Sequence, residues 1–374
     1  MKQPLMKIIG LTVLSLAVLT GCAGTQPKPD TTIPTPTPAP ATDPKTLTAI
    51  KTTSAPTLDG KSSEDTWANA PEMKLTVSNA GALQGGTGGK FENGSTEISM
   101  KSAYDAENVY FLLQYKDPTD SKERGPWVLE GGKLVKKPYN EYYEDKVAFL
   151  WNIKDSTKGF NESGCAVTCH AATDKEGKTV MKHWTTAENE LLDMWHWKYV
   201  RQNSLFGPDK PGLMHDQYMD SVKYDPNDAT KKGAGRHADP GEKEYVENVN
   251  NDKTAPKVVR DGPALNGNPY VIVEGIDKTK PFTTDYIKTM KEGDFIPHPI
   301  AKQISGDPAD IKAKGKWENS VWTLEISRKL KTTSTKDIQF DDLAKTYSFA
   351  VAAFDNSQIG HAYENTVHKL AFKQ

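Results

Sequence analysis

The chain has 374 residues, with 47 basic and 49 acidic side chains for a formal net charge of −2, and only three cysteines. That balance leaves no electrostatic footprint for nucleic acid, so no nucleic-acid partner is expected. So few thiols in a chain of this length exclude a disulfide framework as the source of its stability.

The chain begins with Lys2 and Lys7, an apolar run from Ile8 to Leu19, and then Thr20-Gly21-Cys22. A basic start, a short apolar stretch and small residues before a cleavage point are the features of a secretory signal peptide over residues 1–21. The run falls short of the ~20 apolar residues that a permanent membrane helix needs. Its ending resembles a bacterial lipobox, which implies a lipid on Cys22 and the membrane as a partner. With two or more acyl chains such an anchor is stable. The expected location is the cell envelope, at the outer membrane, facing the periplasm or the exterior. Residues 22–46 are rich in Pro, Thr and Ala, as in Thr35-Pro36-Thr37-Pro38-Ala39-Pro40, and cannot bury enough surface to fold. At ~3.1 Å per residue in polyproline geometry they make a stiff tether reaching up to ~60 Å.

Residues 47–374 are expected to form the folded domain. Asp59-Gly60 marks a turn, and Met73, Leu75 and Val77 then alternate with polar residues as in a half-buried strand. Ile98–Tyr104 and Val109–Tyr115 are two further strand-like runs, and Val147, Phe149, Trp151 and Ile153 repeat the pattern. The alternation stops near residue 154 and resumes near Tyr270–Val273. It returns clearly in Trp322, Leu324 and Ile326, in Tyr347, Phe349 and Val351, and in Val367 to Phe372. Short alternating runs joined by turns predict a mainly β fold, an antiparallel sandwich. The stretch at about 154–262, polar and rich in Gly, Pro, Asp and Lys, reads as a long insertion. A segment of that length without regular pattern is usually functional or disordered.

The insertion holds Gly164-Cys165-Ala166-Val167-Thr168-Cys169-His170. Two thiols can form thioethers with the vinyl groups of a haem, and a histidine directly after the second can reach its iron. Three residues separate the cysteines here instead of two, so the loop must bulge by one residue. A zinc site would want a fourth ligand. A redox dithiol would want two intervening residues in a βαβ setting, and a plain disulfide leaves His170 to coincidence. Cys165 and Cys169 are therefore expected to carry one covalent haem c, with His170 on the iron.

A second axial ligand is sought on a helix predicted over about 187–203, opened by Thr185 and Glu188 as a capping box. At 100° per residue His196 lies within about 60° of Leu192, Tyr199 and Val200 and faces inward, while Met194 falls on the opposite side. His196, flanked by Trp195 and Trp197, is the expected second ligand, with Met181 as the alternative. His183, Met214 and His215 are weaker candidates. His237 and His298 are expected in solvent, and His361 and His368 are read as structural, although a fold could bring His361 inward.

These pieces resemble the family of haem-binding domains related to the γ subunit of ethylbenzene dehydrogenase. The resemblance covers most of residues 50–374. It rests on Asp145-Lys146-Val147-Ala148-Phe149-Leu150-Trp151, on the Cys165–His170 motif and on Asp193-Met194-Trp195-His196-Trp197-Lys198. Asp216-Gln217-Tyr218 and Ala353-Phe354-Asp355-Asn356 are also similar. It implies an immunoglobulin-like β-sandwich gripping one haem and used as an electron relay. The γ subunits hold a non-covalent haem through Met and Lys, whereas this chain supplies two thiols and a histidine. Leu58-Asp59-Gly60 to Trp67 is also similar to carbohydrate-binding sandwich modules of family nine, a likeness of architecture more than of ligand.

No acid–base pair, phosphate loop or nucleophile constellation stands out. The expected function is that of a monohaem c-type cytochrome passing electrons outside the cytoplasm to redox partners, other cytochromes or an oxidoreductase, rather than that of an enzyme in its own right. The alternative is a haem- or sugar-binding module that senses a small ligand on the same sandwich; an enzyme using an open iron site, such as a peroxidase, is the third.

Overall fold

The computed structural model describes residues 43–80, 91–170, 172–173, 179–180, 183–223, 227 and 235–374. The leader, Cys22, nearly all of the tether and Met181 lie outside the described residues. Of the thirteen strands of the main sheet among the described residues, eleven form one continuous path. They are β1 (Thr46–Lys51), β2 (Met73–Val77), β3 (Thr96–Tyr104), β4 (Asn108–Lys116), β5 (Lys146–Asn152) and β6 (Leu192–Lys198). β7 (Gly212–Met219), β8 (Ile311–Glu318), β9 (Val321–Lys329), β10 (Thr346–Phe354) and β11 (His368–Phe372) complete it. Their order is β1-β11-β10-β5-β6-β7-β8-β9-β4-β3-β2. β1 also pairs with β3, so all but β2 close into a ring and only β2 is left outside it. Neighbours are antiparallel except where β1 meets β11 and β3. Closure removes most of the open edge that a sheet of this size would otherwise expose.

The mainly β architecture is thus the one its alternation predicts. Phe111, Phe149, Trp151, Trp195, Trp197, Trp322, Phe340 and Phe349 fill the interior. Their rings pack tilted and edge-on, with Trp151 4.9 Å from both Trp195 and Phe349. Such aromatic pairs add about 0.5–1.5 kcal/mol each beyond burial.

The stretch at 154–262 departs from expectation in two ways. It is not a pure excursion, because β6 and β7 lie within it and sit at the middle of the main sheet. Nor does a helix run over 187–203. Residues 192–198 are a strand, and a single helical turn, α1 (Tyr199–Gln202), follows it. Thr185 and Glu190 instead close a turn: the Thr185 hydroxyl donates to the Glu190 carbonyl at 3.1 Å, and Glu190 Oε2 accepts Thr186 N–H at 2.7 Å and Ala187 N–H at 3.0 Å. β6 is buried at every position, so no polar alternation marks its period, and an apolar run of that kind reads equally as helix or strand. Trp195 and Trp197, two residues apart, both enter the aromatic core, which only a period of two permits.

Trp195→Ala is expected to cost about 3–5 kcal/mol, the range for emptying a buried aromatic site. Urea unfolding of the two proteins checks this; a cost under about 1 kcal/mol would contradict a core position.

Candidate functional site

Across β6, β5 and β10 the register forms rows on the face opposite the aromatic core. His196 lies beside Ala148 and then Ala352; Met194 beside Leu150 and then Ala350; Lys198 beside Lys146 and then Phe354. Paired residues in antiparallel strands share a face, so the first two rows make a floor of small and apolar side chains. Met194 therefore shares its face with His196 instead of opposing it, as strand geometry requires.

The Cys165–His170 segment covers this floor. Cys169 N–H donates to the Cys165 carbonyl at 2.8 Å, closing one helical turn. Residues four apart on such a turn share a face, so three intervening residues present both sulfurs to the same side. Gly164 lets the segment settle: its φ is +57°, and a Cβ there would lie 2.2 Å from the Thr366 carbonyl oxygen. Both cysteines are buried thiols among Leu150, Met194 and Ala350. The resulting cavity, of about 60 Å³, is lined by Cys165, Cys169, His170, Met194, His196 and His361 among others.

Four histidines border it. The imidazole next to His170 is that of His361, with the two Nε2 atoms 3.3 Å apart. His361 Nδ1 donates to the Ile359 carbonyl at 2.8 Å, which fixes the tautomer and leaves Nε2 as a lone pair aimed at His170. His170 stacks on Tyr363 with centroids 3.7 Å apart. His196 stands across Phe354 from His361, 5.4 Å from that ring, with no hydrogen-bond partner on either nitrogen. The pairing expected from a helix, His170 with His196, is thus not the one the fold brings together; Trp195 and Trp197 point into the core and do not flank the cavity. Burial lowers the His170 pKa to about 3, helped by His361, and that of His361 to about 4, so both imidazoles are neutral near pH 7. His183 lies at the rim. Met214 is a core residue, His237 pairs with Asp220 at 3.2 Å, and His368 is held by Glu364 at 3.0 Å. His298, expected in solvent, is buried beside Tyr139.

A second cavity continues from the first, sharing His183, His196, Arg236 and Phe354 with it. Its wall carries Arg124, Lys146, Lys198, Arg201 and Arg236, with Glu244 as its lone carboxylate. Glu244 accepts from Lys198 Nζ at 2.6 Å and from Gln202 Nε2 at 2.6 Å. Lys146 donates to the Gln358 carbonyl at 3.0 Å and lies over the Phe354 ring. Burial pushes the Lys198 pKa down to about 8 against the pull of Glu244, and holds that of Lys146 well below its usual value. An apolar space holding thiols and imidazoles therefore abuts a cationic one, a shape suited to a molecule with an apolar body and an anionic edge. Sequence reading missed Arg236, gave Lys146 no role of its own, and read His361 as structural while allowing that a fold could bring it inward. The signal present for Lys146 is its place at the head of an otherwise apolar strand.

Burial alone would raise the Glu244 pKa, but Lys198, His215 and Arg201 outweigh it and hold it low. Its contribution is therefore complete above about 4.5, the ordinary value, and lost as pH falls below. Glu244→Gln should cost about 3–5 kcal/mol near neutral pH by leaving buried cations uncompensated. In denaturant melts at a series of pH values the gap to the unaltered protein should narrow below pH 4.5.

The model of a family described as ethylbenzene dehydrogenase matches residues 64–366. Among curated proteins none matches the chain. Among solved structures it is similar to a family 9 carbohydrate-binding module from Caldicellulosiruptor kristjanssonii in complex with glucose, at 11% identity and a TM-score of 0.30, over 88% of this chain and 96% of that one. A putative carbohydrate-binding protein from Bacteroides uniformis is similar at 9% identity and a TM-score of 0.31, over 88% and 99%. Likeness at that level says nothing of what this chain binds.

Proposed function

The chain belongs to the ethylbenzene dehydrogenase family, and on that footing we propose that it is a monohaem c-type cytochrome that passes electrons outside the cytoplasm. The observation that carries this reading is the pair of buried thiols beside two imidazoles whose Nε2 atoms approach to 3.3 Å on an apolar floor. Cys165 and Cys169 would hold the haem through thioethers, and His170 and His361 would bind its iron, His361 taking the role expected of His196. When bound, the group supplies one-electron chemistry between ferric and ferrous iron. The rest is done by the chain's own side chains. Ala148, Leu150, Ala350 and Ala352 keep water from one face, which favours the less charged state of whatever lies there. The Ile359 carbonyl orients His361 and raises its basicity. Arg236 and Lys198 offer positive charge, and Lys146 a hydrogen-bond donor, to an anionic edge. Two imidazoles would give a lower potential than a His–Met pair. The redox partners would be other cytochromes or an oxidoreductase, and the lipid on Cys22 would keep the domain at the cell envelope within reach of them.

Acid–acetone extraction should leave the colour on the protein, and removal of all of it would rule out covalent attachment. His361→Ala should convert a low-spin ferric spectrum largely to high spin and admit carbon monoxide to the reduced protein. His196→Ala should leave the spectrum low spin. The reverse result would return the ligand role to His196, and carbon monoxide binding by the unaltered protein would favour a sensing module.

Cys22→Ser should release a coloured protein into the soluble fraction. Retention in membranes after a high-salt wash would count against the lipid anchor.

A further inference from the structure

A second constellation lies apart from the cavity. Asp117 directly follows β4, Asp145 directly precedes β5 and Asp355 directly follows β10, so three strand ends bring carboxylates together. All three side chains are buried completely. Oxygens from the three lie within 4.8 Å of one another.

Protein donors satisfy part of the set. Asp145 accepts Asn356 N–H at 2.9 Å on Oδ1, and Ser121 N–H at 2.9 Å and Trp322 Nε1–H at 3.1 Å on Oδ2. Asp355 Oδ1 accepts the Thr119 hydroxyl at 3.0 Å, and Asp117 Oδ1 accepts Thr119 N–H at 3.0 Å. Asp117 Oδ2 has no partner. Among the described residues neither Asp117 nor Asp145 forms an ion pair, and the largest charge effects on both come from other carboxylates. Burial and their mutual charge push Asp117 up to about 8 and Asp145 well above the carboxylate range. Three carboxylates in so small a dry volume need positive charge beside them or must take up protons.

An independent observation points to an ion. Tyr115, on β4, is 2% exposed, and its hydroxyl has no hydrogen-bond partner although it lies in the field of all three carboxylates. A buried hydroxyl that feels all three carboxylates and bonds to none of them is free to serve as a further oxygen donor. Thr119, Ser121 and Asn356, which bond to the cluster, also line a polar cleft that carries Asp120, Glu123 and Glu141 beside a single lysine, Lys122. Its acidic side chains raise the local concentration of cations.

We propose that Asp117, Asp145 and Asp355, with the Tyr115 hydroxyl, bind one calcium ion. The donors are all oxygen, which selects a hard cation. Calcium–oxygen distances of about 2.3–2.6 Å allow ligand oxygens up to about 5 Å apart, a limit that this cluster keeps within at 4.8 Å or less. Magnesium demands a tighter octahedron and retains more water. The ion would tie β4 to the ends of β5 and β10, two of the strands that make the cavity floor. Asp145 and Asp355 belong to the Asp145–Trp151 and Ala353–Asn356 runs, and the cation gives both a role that the cavity does not.

The full chain, stripped with EDTA and then titrated with calcium chloride or magnesium chloride, tests this. Calcium should restore a melting temperature lowered by EDTA, and magnesium should restore less. Terbium should bind with emission sensitised through Trp322, and calcium should quench that emission. Asp117→Asn should weaken calcium binding at least about tenfold, and Tyr115→Phe should weaken it measurably. A melting temperature indifferent to both EDTA and calcium, without sensitised terbium emission, overturns the proposal in the unaltered protein whatever the variants do. Calcium affinity unchanged in a folded Asp117→Asn or Tyr115→Phe protein also overturns it, because the ion would then sit elsewhere.

Discussion

From Leu192 to Lys198 the chain runs through the middle of the sheet with neighbours on both sides and neither face in water. Its alternate side chains therefore meet two environments. Trp195 and Trp197 enter an aromatic interior, while Met194, His196 and Lys198 border the cavities on the other face. That division sets the register of β5 and β7 against it. A slip of one residue would exchange tryptophans for the histidine and lysine and bury both charges and orphaned nitrogens in the core. The aromatic packing thus pays for the polar groups that the other face must hold.

The two adjoining cavities differ because of what covers them. The first lies over alanines and leucine and is closed by the one-turn segment bearing Cys165 and Cys169. The second is walled by basic side chains carried partly on β5, β6 and the turn after β6. Low dielectric strengthens each interaction within them, which makes the Glu244 network costly to leave incomplete. It also keeps the imidazoles neutral, the state in which a nitrogen lone pair can serve as a ligand. The apolar residues of the first and the cations of the second would together hold the proposed haem.

Ring closure through β1 adds a further constraint. β4, β5 and β10 lie apart in chain order, yet the ring holds their ends close enough for three aspartates to converge. Strands β5 and β10, which carry the cavity floor, are thereby held at one end by the closed sheet beside the carboxylate cluster, and both are mostly buried.

Local chemistry made the thiols and His170 legible in the sequence, because attachment of a c-type haem asks for fixed spacing along the chain. The strand runs before residue 154 and after residue 310 were legible as well, since large core side chains alternate there mostly with polar or small ones, as in β2 and β5, and print a period of two. β6 left no such print, being buried on both faces, and its seven residues satisfied a helical period as well as a strand period. With that error went the orientation of Met194 and the role of the tryptophans. His361 follows Gly360 near the C-terminus, 191 positions from His170, and no local pattern announces such a contact. The same holds for Arg236 at the rim and for Asp117, Asp145 and Asp355. Spacing determines what a short segment can do by itself. Only the closed sheet, by pairing strands distant in sequence, decides which imidazole, which cation and which carboxylate stand together.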